Sequence, residues 1–188
     1  MPVGVAYLSA IMIRPYALVP GNKVAIVAPA GRFDMQALLQ GVKIIESWGM
    51  EVAVGKNIDK GHFYFSGTDA ERLEDLQWAL DDQDIKAIFA ARGGYGTTKI
   101  IDQLDFSAFI KNPKWIVGFS DITALHLKLY QLGVESIHGT MPTGFSKAHQ
   151  YSLKTMHKLL FGENITYNVE HHPHNILGKG EGLLVGGN

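Results

Sequence analysis

The chain reads as an α/β protein, a mostly parallel sheet with helices on both faces in the Rossmann or flavodoxin manner. Two observations predict this. Apolar runs of strand length alternate with amphipathic runs of helix length all along the sequence. The strands also lack a polar face, as strands covered from both sides must. With 188 residues, 46% of them hydrophobic, the chain is long enough to bury a sizeable core in one domain.

Each element has its own signal. In "KVAIVAPAG", Val24–Ala28 is an apolar run that ends in Pro and Gly, the mark of a buried strand. Asp34 is placed to N-cap a helix with Met35, Leu38, Leu39, Val42 and Ile45 on one face, stopped by Gly49. The short strand "EVAV" follows. Thr68 and Glu71 have capping-box spacing and open a helix through Leu73, Leu76 and Leu80. "IKAIFAA" is the next strand, broken by "RGGYG". "TTKIIDQL" predicts a short helix, "WIVG" a strand, and "DITALHLKLYQLG" a helix closed by Gly133. "ESIHG" predicts one more strand and "YSLKTMHKLLFG" one more helix.

The two ends differ in character from this middle. Residues 1–13 are apolar, but they lack a basic leading region and are too short to span a bilayer, so they read first as an extension, with a cleaved signal peptide as the alternative. Residues 14–162 form the α/β domain. Residues 163–188, rich in Gly, Asn and His, have little periodicity and read as a linker and the start of a second domain.

Composition narrows the function. A formal net charge of -1, with no run of Lys or Arg, gives no electrostatic case for nucleic acid or an anionic membrane surface. The absence of cysteine excludes thiol catalysis, disulfides and thiolate metal sites. His171, His172 and His174 lack the helical spacing of a metal pair and read as solvated loop.

In an open parallel sheet, ligands bind beyond the carboxyl ends of the strands. Two loops at that edge are unusual. In "ARGGYGTT" (Ala91–Thr98), Gly93, Gly94 and Gly96 let backbone N–H groups approach an anion or a carbonyl oxygen without Cβ obstruction. The loop matches neither the Walker motif nor the dinucleotide fingerprint, and a tight turn would also explain it. The second loop is Gly118-Phe119-Ser120, a strand–Gly-x-Ser–helix junction of the kind that exposes a nucleophilic hydroxyl. There, the N–H of Asp121 can donate to an oxyanion. Ile122 stands where the hydrolase elbow has its last glycine, and on spacing alone Ser120 reads first as a helix N-cap. A base is harder to find. His126 lies six residues further on, on another face, and His138, at the end of the next strand, is the nearer candidate.

Taken together, "VPGNKVAIVAPAG", "FSGTDAERLEDLQWALDDQDIKAIFAARGGYG", "WIVGFSDITALH", "IHGTMP" and "GEGLLVGGN" resemble the murein LD-carboxypeptidases. That family includes muramoyltetrapeptide carboxypeptidases and microcin-immunity peptidases. The likeness runs from about Arg14 onward, and "ARGGYG" followed by "GFSD" is its most specific part. One departure is Thr140, where these proteins place a proline directly after His-Gly.

The resemblance implies a serine carboxypeptidase with Ser120 as nucleophile and Asp121, Gly93 and Gly94 as the oxyanion-hole region. Arg92, Tyr95 and His138 become candidates for substrate binding. The triad Glu and His are expected from a C-terminal domain, so the present chain is expected to be inactive alone. The implied reaction releases a terminal D-alanine from muropeptide tetrapeptides during peptidoglycan recycling in the cytoplasm. The implied assembly is a homodimer, and no metal or organic cofactor is implied. Two other functions fit the same residues: cleavage of an aminoacyl-nucleotide amide, and non-catalytic binding of an anion or nucleotide.

Overall fold

The structure, a computed structural model, describes residues 12–168, 170–176 and 178–188. Of the extension read over residues 1–13, only Met12 and Ile13 therefore fall within it. Five strands form one sheet: β1 (Lys23–Val27), β2 (Glu51–Val54), β3 (Ile85–Ala90), β4 (Trp115–Gly118) and β5 (Ile137–His138). Their order is β2-β1-β3-β4-β5, and every pairing is parallel. Among the described residues, six α-helices connect and cover them: α1 (Met35–Ser47), α2 (Asp69–Asp81), α3 (Thr97–Ile100), α4 (Ser107–Lys111), α5 (Thr123–Gln131) and α6 (Gln150–Leu160).

The period-2 geometry of a strand divides its side chains between two cores. Val24 and Ile26 of β1 join Phe89, Trp115 and Val117 in the core covered by α1 and α6, through Leu38, Ile45, Met156 and Leu160. Ala25 and Val27 join Ile88 and Ile116 in the core covered by α2 to α5, through Leu76, Leu80, Ile100, Phe109 and Leu129. Apolar residues at successive strand positions are thus both buried, which is why these strands carry no polar face. Each fully buried large side chain, such as Phe89, contributes about 1.5–3 kcal/mol. The predicted α/β class with both faces covered is the observed one.

The predicted caps form. The Asp34 carboxylate accepts the Gln36 N–H at 2.9 Å. Thr68 Oγ1 accepts the Glu71 N–H at 3.3 Å, and the Glu71 carboxylate accepts the Thr68 N–H at 2.9 Å. Other expectations need correction. Leu39 is exposed, and Gly41 replaces it on the buried side of α1, because the backbone of Pro142 packs directly on that glycine. "TTKIIDQL" splits into α3 and a 3-10 turn at Ile101–Gln103, and α5 starts at Thr123 after a 3-10 turn at Ser120–Ile122. The last strand has only two residues. Helix α4 and the 3-10 segment Pro142–Lys147 have no counterpart in the sequence reading. At the sheet edge Ile13 bridges Val134 in parallel, with its N–H donating to the Gly133 carbonyl at 2.7 Å. No helix of the described residues is long and apolar enough to cross a membrane.

Candidate active site

Strand order 2-1-3-4-5 puts a topological switch point between β1 and β3, where the loops leave in opposite directions. The loop after β1 and the glycine loop after β3 meet there. The Gly31 N–H donates to the Gly93 carbonyl at 3.2 Å. Beneath them lies Arg72, only 2% exposed, which the sequence reading passed over. Its guanidinium donates to the carbonyls of Pro29 and Gly96, bonds Asp69, and lies 4.9 Å above the Phe65 ring. One buried cation thus fixes both loops, and its fork geometry is what lets it serve several acceptors at once. An Arg on the inner side of a capping-box helix was the available signal.

The Ser120 corner follows β4, next to this junction. Ser120 has φ 62°, one of two non-glycine residues with positive φ among the described residues. A left-handed L-residue costs of order 1 kcal/mol, and such strain collects at functional corners. No side chain caps the 3-10 turn or α5, so Ser120 does not act as an N-cap. Instead its side chain is half-buried against the glycine loop. A Cβ placed on Gly93 would stand 3.1 Å from Ser120 Cβ and 3.3 Å from Oγ. The Asp121 carboxylate adds a second tie, accepting the Thr97 N–H at 2.8 Å. The structure therefore brings together three expected residues, Ser120, Asp121 and Gly93. Gly94 is the next residue along, exposed and with φ 113°, and faces the Tyr64 ring rather than the serine.

The remaining candidates are placed as follows. His138 is exposed, and its Nε2 lies 3.2 Å from Asn188 Oδ1. That same oxygen accepts the Ser120 N–H at 3.3 Å, and the Asn188 main-chain oxygen accepts from Thr123 Oγ1 at 2.9 Å. Asn188, the last residue of "GEGLLVGGN", thus stands between His138 and the serine. Arg92 is exposed, and its Nη1 donates to the Arg32 carbonyl rather than to a carboxylate. Tyr95, 54% exposed, packs its ring 6.1 Å from Phe65 and is not in contact with Ser120.

His126 lies under the corner. Its Nε2 is 2.9 Å from the Gly118 carbonyl and its Nδ1 is 2.8 Å from Ser136 Oγ. With Nε2 donating, the ring accepts from the serine hydroxyl, and burial pushes its pKa below the ordinary histidine value. It stays neutral at pH 7 and has no free nitrogen to serve as base. Among the described residues, Ser120 Oγ has no histidine or carboxylate at hydrogen-bond distance.

A strained serine over converging loops leaves its chemistry open, and its relatives narrow it. A family model for the LD-carboxypeptidase N-terminal domain matches residues 24–139. The chain belongs to that family. It is 40% identical over 182 residues to a probable murein peptide carboxypeptidase of Bacillus subtilis (strain 168), covering 93% of this chain and 57% of that one. A muramoyltetrapeptide carboxypeptidase from Oxalobacter formigenes superposes with a TM-score of 0.66 at 31% identity, over 73% of this chain and 47% of that one. The microcin C7 self-immunity protein MccF, in complex with aspartyl sulfamoyl adenosine, superposes with a TM-score of 0.73 at 27% identity, over 85% of this chain and 50% of that one. The chain therefore spans about half the length of these relatives. The kinship read from "ARGGYG" and "GFSD" is borne out.

Proposed function

We propose that this chain is the nucleophile-bearing part of a serine LD-carboxypeptidase that removes the terminal D-alanine from murein tetrapeptides. The observation that carries the proposal is the left-handed Ser120 with Gly93 pressed against its hydroxyl side. In this reading, Ser120 Oγ attacks the carbonyl carbon of the amide between an L-configured centre and D-alanine. The charge that develops on the carbonyl oxygen is met by the Asp121 N–H, with the Gly93–Gly94 segment alongside, and each well-aimed donor lowers the barrier by about 3 kcal/mol. D-Alanine leaves, and water then releases the tripeptide from the acyl-enzyme.

The proton from Ser120 goes to a histidine oriented by a glutamate, both assigned by family resemblance to a C-terminal domain. Residues 163–188 are the linker and the start of that domain in this proposal. The exposure of Leu183, Leu184 and Val185 supports it, since an apolar run of that kind asks for a covering surface. The proposal also takes the intact protein as a cytoplasmic homodimer.

The test is D-alanine release by the full-length protein, by its Ser120→Ala variant and by the 188-residue chain alone. Turnover should be confined to the first, apart from traces in the variant. Normal turnover by the variant would end the serine mechanism. A second reading, cleavage of an aminoacyl-nucleotide amide, is favoured by the likeness to MccF bound to an aspartyl sulfamoyl adenosine. A parallel assay with an aminoacyl-nucleotide substrate separates the two. Nucleotide binding without any labelling by a serine-directed phosphonate would favour a non-catalytic domain instead.

A further inference from the structure

We propose that Arg32 and Arg92 together form a clamp for the free carboxylate at the end of the peptide, so that the Ser120 site selects chain ends. The inference rests on the peptidase reading above and adds Arg32, which neither the motifs nor the kinship singled out.

Both arginines are tied to the residue that faces the nucleophile. Arg92 directly precedes Gly93, which packs against Ser120. Arg32 directly follows Gly31, whose N–H donates to the Gly93 carbonyl at 3.2 Å. Arg92 Nη1 donates to the Arg32 carbonyl, so the two side chains share one stretch of backbone. Arg32 is itself anchored, its N–H donating to the Tyr64 carbonyl at 2.9 Å. Its guanidinium lies over Gly61, where a Cβ would stand 3.1 Å from Cζ and 3.2 Å from Nε and Nη2. The Tyr64 ring walls the same place, 3.5 Å from where a Cβ of Gly31 would be.

What these two cations lack is an anion. Of the arginines, Arg14 and Arg72 have carboxylate partners, whereas Arg32 and Arg92 have none among the described residues. Two like charges held on adjoining loops repel each other, and a carboxylate between them would relieve that. The planar guanidinium fork is the side chain best matched to a carboxylate. Position then decides which carboxylate. A peptide steps about 3.8 Å per residue between Cα atoms. The terminal carboxylate of a carboxypeptidase substrate lies one residue from the carbonyl under attack, and Arg92 is the chain neighbour of Gly93.

The experiment uses full-length protein and two peptides, a murein tetrapeptide with its free terminal carboxylate and the same peptide as its C-terminal amide. Steady-state kinetics with wild type, Arg32→Gln, Arg92→Gln and the double variant give KM and kcat for each. A charge-assisted hydrogen bond lost should raise KM for the acid about tenfold per arginine, and the preference of wild type for acid over amide should collapse. Arg92→Lys should recover only part of it, having charge without the fork. Melting temperatures serve as the check on folding. An acid-to-amide preference that survives in the double variant overturns the clamp, whatever else is lost. Calorimetry with both peptides on Ser120→Ala protein separates this from the parent reading. Arginine-dependent preference for the acid without any D-alanine release by wild type would leave the clamp standing and remove the peptidase. Release of D-alanine with no arginine dependence in either assay would do the reverse.

Discussion

Gly93 and Ser120 are in van der Waals contact across two crossover loops, and a Cβ on Gly93 would fall 3.1 Å from the Phe119 carbonyl oxygen and 3.1 Å from Ser120 Cβ. Those distances are shorter than ordinary carbon contacts, so Gly93→Ala must push the corner aside by a few tenths of an ångström. Overpacking of this size costs about 1–3 kcal/mol of stability. The effect on turnover should be larger in proportion, since a nucleophile displaced by up to 1 Å loses roughly a hundredfold. D-Alanine release by full-length Gly93→Ala should therefore fall by one to two orders of magnitude, roughly, with the fold retained. Wild-type kinetics in this variant would mean that the glycine loop does not position the serine.

The φ of 62° at Ser120 makes a second prediction, in which stability and activity part company. Ser120→Gly removes the steric cost of the left-handed conformation, ~1–2 kcal/mol, but adds chain entropy to the unfolded state, ~0.5–1 kcal/mol. The net effect is a protein more stable by up to about 1 kcal/mol and without activity. Ser120→Ala, equally inactive, keeps the strain and should show no such gain. Urea denaturation of the two variants side by side measures the difference. Equal midpoints, or a less stable glycine variant, would contradict the strained corner.

Much of this architecture was legible because it rests on local signals. Apolar runs without a polar face gave the parallel sheet, and Asp34, Thr68 and Glu71 gave helix starts that the structure reproduces. What escaped depends on contacts distant in sequence. Gly41 reads as a weak point in a helix until Pro142, about a hundred residues away, is seen to pack on it. Periodicity places Leu39 on the buried face of α1, but among the described residues nothing buries it and it stays exposed. Helix α4 has five residues, too few for a periodic signal, and β5 has two. At the site, the Gly-x-Ser junction and the glycine loop were visible as motifs. Arg72 and Asn188 were not, because each acts through hydrogen bonds to loops far along the chain.

The Asp121 side chain is a further test of the corner. Its carboxylate holds the Thr97 N–H at 2.8 Å and so fixes where the glycine loop ends relative to the serine. Asp121→Ala leaves that N–H without its acceptor, at a stability cost of about 1–3 kcal/mol. Asp121→Asn keeps an oxygen able to accept and should lose far less. In the full-length enzyme the alanine variant should lower kcat with little change in KM, because the reacting geometry is disturbed more than the substrate contacts. Labelling of Ser120 by a phosphonate should slow in parallel. An asparagine variant as impaired as the alanine one would show that the charge matters and the hydrogen bond does not.

Lys114, which directly precedes β4 and so lies at the other end of that strand from the serine, gives a prediction in pH. It is 2% exposed, and its Nζ donates to the carbonyls of Ala79 at 3.1 Å and Asp82 at 2.6 Å, closing the last turn of α2. Burial brings its pKa down from 10.5 to about 8, with nearby Asp82 opposing the shift more weakly. Below pH 8 the ammonium is charged in both folded and unfolded chains, and the cost of burying it is fully present. Between about pH 8 and 10.5 the folded chain binds fewer protons than the unfolded one, so this group's contribution to stability rises with pH. Lys114→Met removes the titration while keeping the volume of the stem, so its difference from wild type isolates the effect from other groups that titrate there. The melting-temperature difference, wild type minus Lys114→Met, should become more positive from pH 7 to pH 10. A difference that stays flat would show that the Lys114 ammonium is solvated, and that the end of α2 is capped by something other than a buried charge.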